Sequence, residues 1–215
     1  MKSTTAQILA DLIKRLPLLE TCNEQIQAAF DILFKCADEG RTILVCGNGG
    51  SASDAEHIVG ELMKGFLLAR PIPADDMERF EKKSGEEAHV LISKLQQAIP
   101  AISLVSQTSL CTAVANDNGG DMIFAQQVYG YGEPGNVLIA ISTSGNAKNV
   151  FMAVHTARAL GMPTIGLSGR EGGNLRPLCD VCICVPAEGS FKVQELHQPV
   201  YHALCAMLES ELFGE

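Results

Sequence analysis

Apolar positions recur with helical spacing over residues 5–38. Ile8, Leu9, Leu12, Ile13, Leu16 and Leu19 form one group, and Ile26, Phe30, Ile32, Leu33 and Cys36 form a second. The pattern predicts two helices ahead of any strand, stopping near Gly40. Such a pair suits a packing or oligomer element. The spacing then changes. TILVC (42–46), PAISLV (100–105), NVLIAIS (136–142), PTIGLS (163–168) and VCICVP (181–186) are short, β-rich apolar runs. Helix-like DAEHIVGELMKGF (54–66) follows the first run, and VFMAVHTARAL follows the third. Near-continuous apolar strands alternating with helices predict an α/β domain: a five-stranded parallel sheet with helices on both faces.

Residues 67–99 break that rhythm. RPIPADD reads as a loop, and MERFEKKSGEEAHVLISKLQQA as a charged helical stretch interrupted at Gly85. A solvated surface helix is the plain expectation for a charge run. A lid beside a ligand site is the sharper one, because long insertions are often functional.

The bulk numbers bound the function. The 215 residues suffice for one domain with a sizeable core, and 47% hydrophobic with 19% charged residues is a globular composition. The formal net charge of −9 argues against broad binding to nucleic acid or an anionic membrane. There is no apolar run long enough to span a bilayer, and the N-terminus does not read as a signal peptide, so a cytoplasmic protein is expected. Of eight cysteines, Cys22, Cys36, Cys46, Cys111 and Cys205 sit in apolar stretches and read as small core residues. CDVCIC (179–184) contains a CxxC, but no second Cys/His pair at zinc spacing accompanies it, and the alternation of VCICV fits a buried strand.

Two loops carry candidate chemistry. Gly47-Asn48-Gly49-Gly50-Ser51 and Ser142-Thr143-Ser144-Gly145-Asn146 each follow a strand and precede a helix. In a parallel sheet both lie at strand carboxyl ends, where ligands bind. Glycines permit close backbone approach, while hydroxyls and helix N–H groups supply donors, so a phosphate is the expected ligand. Neither loop is a Walker A or a GxGxxG motif. Beyond the first loop, His57 and Glu61 are spaced i, i+4 on one helical face, able to move a proton or to share a metal ion. The last helix carries Gln194-Glu195-Leu196-His197-Gln198-Pro199-Val200-Tyr201-His202, where Pro199 should kink the helix or mark a late start. Gln194 and His202 are roughly 12 Å apart along a straight helix. They would not ligate one ion from the same helix unless two copies of the chain shared the site.

CGNGGSASDAEHIVGEL, ISTSGNAKNV, LSGREGG and VQELHQPVYH resemble the SIS-domain phosphoheptose isomerases, over most of the chain to about Glu209. The resemblance implies a flavodoxin-like fold and a homotetramer with sites between subunits. It implies aldose–ketose isomerisation of sedoheptulose 7-phosphate to D-glycero-D-manno-heptose 7-phosphate. It places substrate-loop residues at Asn48, Gly49, Gly50 and Ser51, and phosphate-binding residues at Ser142, Thr143 and Ser144. Glu61 and His202 take the catalytic positions and Gln194 a substrate position. Some members bind zinc through the positions of His57, Glu61, Gln194 and His202. Three departures stand out: Ala147 where the phosphate loop usually ends in serine, Gln107 where many members place a substrate-contacting aspartate, and the long 67–99 segment. Two rival readings remain from other classes. One is a non-catalytic SIS module that binds a replication initiator; as expected for that branch, it lacks the matching glutamate and final histidine, which this chain keeps. The other is a phosphosugar-sensing regulatory domain, usually fused to a helix-turn-helix for which 215 residues leave no room.

Overall fold

A computed structural model describes residues 1–214. The five strands are β1 (Ile43–Gly47), β2 (Ala101–Ser103), β3 (Val137–Ile141), β4 (Thr164–Ser168) and β5 (Val181–Cys184). They pair in the order β2-β1-β3-β4-β5, all parallel. This is the flavodoxin-like order, whose direction of winding reverses between β1 and β3.

The helices are α1 (Ser3–Arg15), α2 (Asn23–Asp38), α3 (Gly50–Met63), α4 (Ala74–Lys83), α5 (Ala88–Lys94), α6 (Thr108–Asp117), α7 (Ile123–Tyr131), α8 (Lys148–Ala159) and α9 (Ser190–Phe213). Successive side chains of a strand face opposite sides of the sheet, and the chain uses both. Ile43, Val45, Ile139, Ile141, Ile165 and Leu167 join a core completed by α1, α2, α3 and α9. Leu44, Cys46, Leu138 and Ala140 join a second core completed by α7 and α8. The two N-terminal helices therefore cover one sheet face rather than standing apart from the domain.

Several local readings are corrected. α9 runs unbroken through Pro199; one missing N–H leaves one carbonyl of the preceding turn without its helical partner, and packing holds the rest. Residues 203–210 of α9 are all buried. β5 is an edge strand: Ile183 is buried, but Cys182 and Cys184 are only half-buried. Cys111 is likewise half-buried, while Cys22, Cys36, Cys46 and Cys205 are core residues. All eight cysteines are free.

The 67–99 segment contains α4, a short turn of helix at Gly85–Glu87, and α5. α4 packs chiefly on α5. The stalk of this hairpin is closed by an antiparallel bridge between Pro71 and Gln96 and by Gln97 N–H donating to the Arg70 carbonyl at 2.7 Å.

Candidate active site

The site begins where the sheet reverses. The loops after β1 and β3 come together there around a cleft of about 360 Å³. Its lining includes Asn48, Gly49, Gly50, Ser51, Ser142, Thr143, Ser144 and Gln194, so eight of the residues expected from sequence meet in one cavity. Ala147 and Ser190 also line it. No lysine or arginine does. An anion there would be held by backbone N–H groups, hydroxyls and the α8 N-terminus, which has no side-chain cap at Ala147.

Both loops are stitched in place. The Asn48 and Asn149 carboxamides exchange two hydrogen bonds, 2.8 and 2.9 Å, joining the first loop to α8. The Ala147 N–H donates to Ser142 Oγ at 3.4 Å, and Asn146 N–H donates to Ser144 Oγ at 3.2 Å. Behind them, Asn174 N–H donates to Asn146 Oδ1 and Leu175 N–H to the Gly145 carbonyl, both at 3.1 Å. This ties the LSGREGG segment to the loop. Gly145 has φ +69°, and a Cβ there would strike the Gly172 carbonyl, so only glycine fits. A Cβ on Gly50 would strike the Gln194 carboxamide. Asn149 had no signal in the sequence beyond its nearness to the serine loop, and Ser190, far from it in sequence, had none.

Along α3, Ala55, Ile58 and Leu62 face the core. The stripe beside them carries Asp54, His57 and Glu61. α9 runs alongside in the same direction: Gln194 meets Gly50, and two turns later Tyr201 and His202 meet His57. His57 Nε2 lies 3.0 Å from Glu61 Oε1 and 3.4 Å from His202 Nε2. One ligand atom from each of the three residues lies within 4.8 Å of the others. Glu61 Oε2 is buried without a hydrogen-bond partner, the Lys64 ammonium standing 3.6 Å away. Burial, then the neighbouring His57, hold the His202 imidazole below its usual range, with Glu61 opposing them. The Asp54 carboxyl is raised by burial, partly offset by Tyr201 and His57.

Thus one chain brings His57, Glu61 and His202 together. Gln194, grouped with them by resemblance, lies two turns away on the cleft wall. Gln107 does not line the cleft; it precedes α6, where its neighbour Ser106 donates to Glu56 of α3 at 2.8 Å. No residue of the hairpin lines the cleft either. The hairpin stalk is instead fixed to the far end of α3. Arg70, 1% exposed, donates to the carbonyls of Leu62 (2.9 Å) and Glu61 (3.3 Å) and to Glu209 Oε1 (2.7 Å). Glu209 also accepts the N–H groups of Phe66, Leu67 and Leu68. Nothing in the sequence pattern announced this pair, because a lone arginine and a lone glutamate 139 positions apart read as surface charges.

A family profile described as SIS domain matches residues 8–95 and 86–169. The chain is 38% identical over 192 residues to a phosphoheptose isomerase of Clostridium acetobutylicum, covering 89% of this chain and 85% of that protein. It is 39% identical over 191 residues to a phosphoheptose isomerase of Geotalea daltonii, covering 89% and 86%. Among solved structures, phosphoheptose isomerase GmhA from Neisseria gonorrhoeae superposes with a TM-score of 0.71 at 32% identity, over 94% of this chain and 96% of that one. A phosphoheptose isomerase from Francisella tularensis superposes with a TM-score of 0.73 at 29% identity, over 96% and 93%.

Proposed function

The chain belongs to the phosphoheptose isomerases of the SIS-domain family, and from that premise we propose that it isomerises sedoheptulose 7-phosphate to D-glycero-D-manno-heptose 7-phosphate with Glu61 and His202 as the catalytic residues. One observation supports these roles above the others: a donor-rich cleft and a His–Glu–His cluster lie on the same stretch of α3. From Gly50 to His57 the helix rises about 10 Å, room for an open-chain sugar whose phosphate sits in the cleft and whose carbonyl reaches the cluster.

In this reading Ser142, Thr143, Ser144 and the α8 N-terminus hold the phosphate. Asn48, Gly49, Gly50, Ser51 and Gln194 orient the chain of the sugar, which positions the reacting carbons. Glu61 Oε2 has no hydrogen-bond partner and serves as the base. It takes the proton from C1 of the ketose and returns it to C2, while His202 gives a proton to the C2 oxygen and takes one from the C1 oxygen. Ala147 offers no hydroxyl to the phosphate, and the loop N–H groups must serve instead.

The three side chains at the cluster offer two imidazole nitrogens and a carboxylate, a donor set that suits zinc with one position left for substrate. His57, Glu61 and His202 would hold it, and it would polarise the sugar carbonyl as a Lewis acid. A cytoplasmic homotetramer with sites between subunits would let Gln194 of a second copy complete the set that the family resemblance implies.

The test is direct incubation of the purified protein with sedoheptulose 7-phosphate, with and without zinc, following the aldose product by NMR. Product formation is expected. No product under either condition would remove the assignment and favour a binding role for the cleft.

A further inference from the structure

The two nitrogens of His57 face different partners. Nε2 faces Glu61 and His202, as described above. Nδ1 lies 3.1 Å from the Tyr201 hydroxyl, which in turn lies 3.3 Å from Asp54 Oδ1. Tyr201 is 2% exposed, and its ring meets the His57 ring edge-on at 5.5 Å between centroids. Asp54 stands three residues before His57 on the same face of α3.

A phenol has one proton to give, and an ionised carboxylate can only accept. The Tyr201 O–H therefore donates to Asp54, and its oxygen is left to accept from His57 Nδ1–H. A neutral imidazole carries one N–H, so Nε2 is then a bare lone pair. It points at the acceptor Glu61 Oε1 and lies 3.4 Å from His202 Nε2. A lone pair and a carboxylate oxygen 3.0 Å apart repel each other unless a cation or a proton lies between them.

We propose that Tyr201, backed by Asp54, is a positioning residue that fixes His57 as the Nδ1–H tautomer and presents its Nε2 lone pair to a divalent cation shared with Glu61 and His202. This rests on the zinc reading given above and extends it to the groups that prepare the site. Partners of this kind fix ring orientation and tautomer, and losing one costs about 10- to 100-fold in metal affinity.

The test uses the full-length metal-free protein. Long-range proton–nitrogen NMR reads the His57 tautomer, and competition with a chromophoric chelator gives the zinc dissociation constant. In the wild type His57 is expected to carry its proton on Nδ1. Tyr201→Phe keeps the ring and removes the acceptor, so His57 should shift toward Nε2–H donating to Glu61, and zinc affinity should fall about 10- to 100-fold. Asp54→Ala frees the Tyr201 proton to turn toward Nδ1 and should move the tautomer the same way. The thermal midpoint of Tyr201→Phe checks that the fold is intact. An unchanged tautomer, or zinc affinity within two-fold of wild type in a folded Tyr201→Phe protein, overturns the proposal. A wild type that binds no zinc overturns the metal reading itself, and the tautomer, measured without metal, separates the two failures.

Discussion

At the scale of single residues, burial decides what each polar group can do. His197 is fully buried on α9, its Nε2–H donating to the Ser168 carbonyl at 3.2 Å, and Nδ1 has no partner. Burial pushes its pKa down to about 4, with the Ser168 carbonyl opposing. The imidazole is therefore neutral in the fold and is a structural group, although it sits in the same motif as Gln194 and His202. In the unfolded chain a histidine titrates near 6.5. Between about pH 6.5 and 4 the unfolded state binds a proton that the folded state refuses, so stability must fall as pH falls through that window, by up to about 3 kcal/mol. Urea unfolding of wild type and His197→Gln at pH 7 and pH 4.5 checks this. The pH-dependent loss should be smaller in the variant, and an equal loss in both would assign it to other groups.

At the scale of elements, α3 and α9 form the working pair. Their near-parallel course sets the cleft contact at Gly50 and Gln194, the cluster at His57 and His202, and the Arg70–Glu209 pair beyond them. That pair closes the carboxyl end of α3 on the carbonyls of Glu61 and Leu62. Removing one partner of a buried ion pair strands the other charge, a cost of about 3–5 kcal/mol. Glu209→Gln should therefore lower the unfolding free energy by about that amount in urea titration. A change below about 1 kcal/mol, the range of exposed pairs, would show that the pair is solvated.

The strands were legible because a doubly covered parallel sheet demands unbroken apolar runs. The two ligand loops and the His57–Glu61 spacing were legible because they are local. α6 and α7 were not: TSLCTAVAND mixes threonine, serine and asparagine with its small apolar residues, and Gly119–Gly120 breaks the run between the helices. Pairings between distant positions, such as Asn48 with Asn149 or Arg70 with Glu209, leave no periodic trace. The placement of Gln194 on the cleft wall follows from its contact with Gly50, which only the packing of α9 on α3 reveals.

At the scale of the whole molecule, the 67–99 hairpin is the feature that departs from a plain doubly wound domain. Met77, Phe80, Leu91 and Ile92 are half-buried, and Val90 and Leu95 are exposed. Its stalk is anchored beside Glu61 through Arg70 and through Gly65 N–H donating to Gln96 Oε1 at 2.6 Å. Because Pro71 and Gln96 already pair, removing residues 72–96 leaves ends that can be joined with little strain. The shortened protein should fold and keep the assembly mass of the wild type by light scattering, while its KM for the sugar phosphate rises. This is the outcome for a flap that narrows the sugar end of the site. A smaller assembly with unchanged KM would make the hairpin a contact between copies instead.

The central claim is that a donor-rich cleft and the Glu61–His202 pair, both on one chain, isomerise a seven-carbon sugar phosphate. Glu61→Gln keeps the shape of the side chain and removes its base. The decisive measurement is the initial rate of sedoheptulose 7-phosphate conversion by wild type and by Glu61→Gln, with substrate binding by both proteins measured alongside. The account predicts conversion by the wild type, a loss of at least about 100-fold in the variant, and binding that changes little. Turnover by Glu61→Gln within a few-fold of wild type would contradict it.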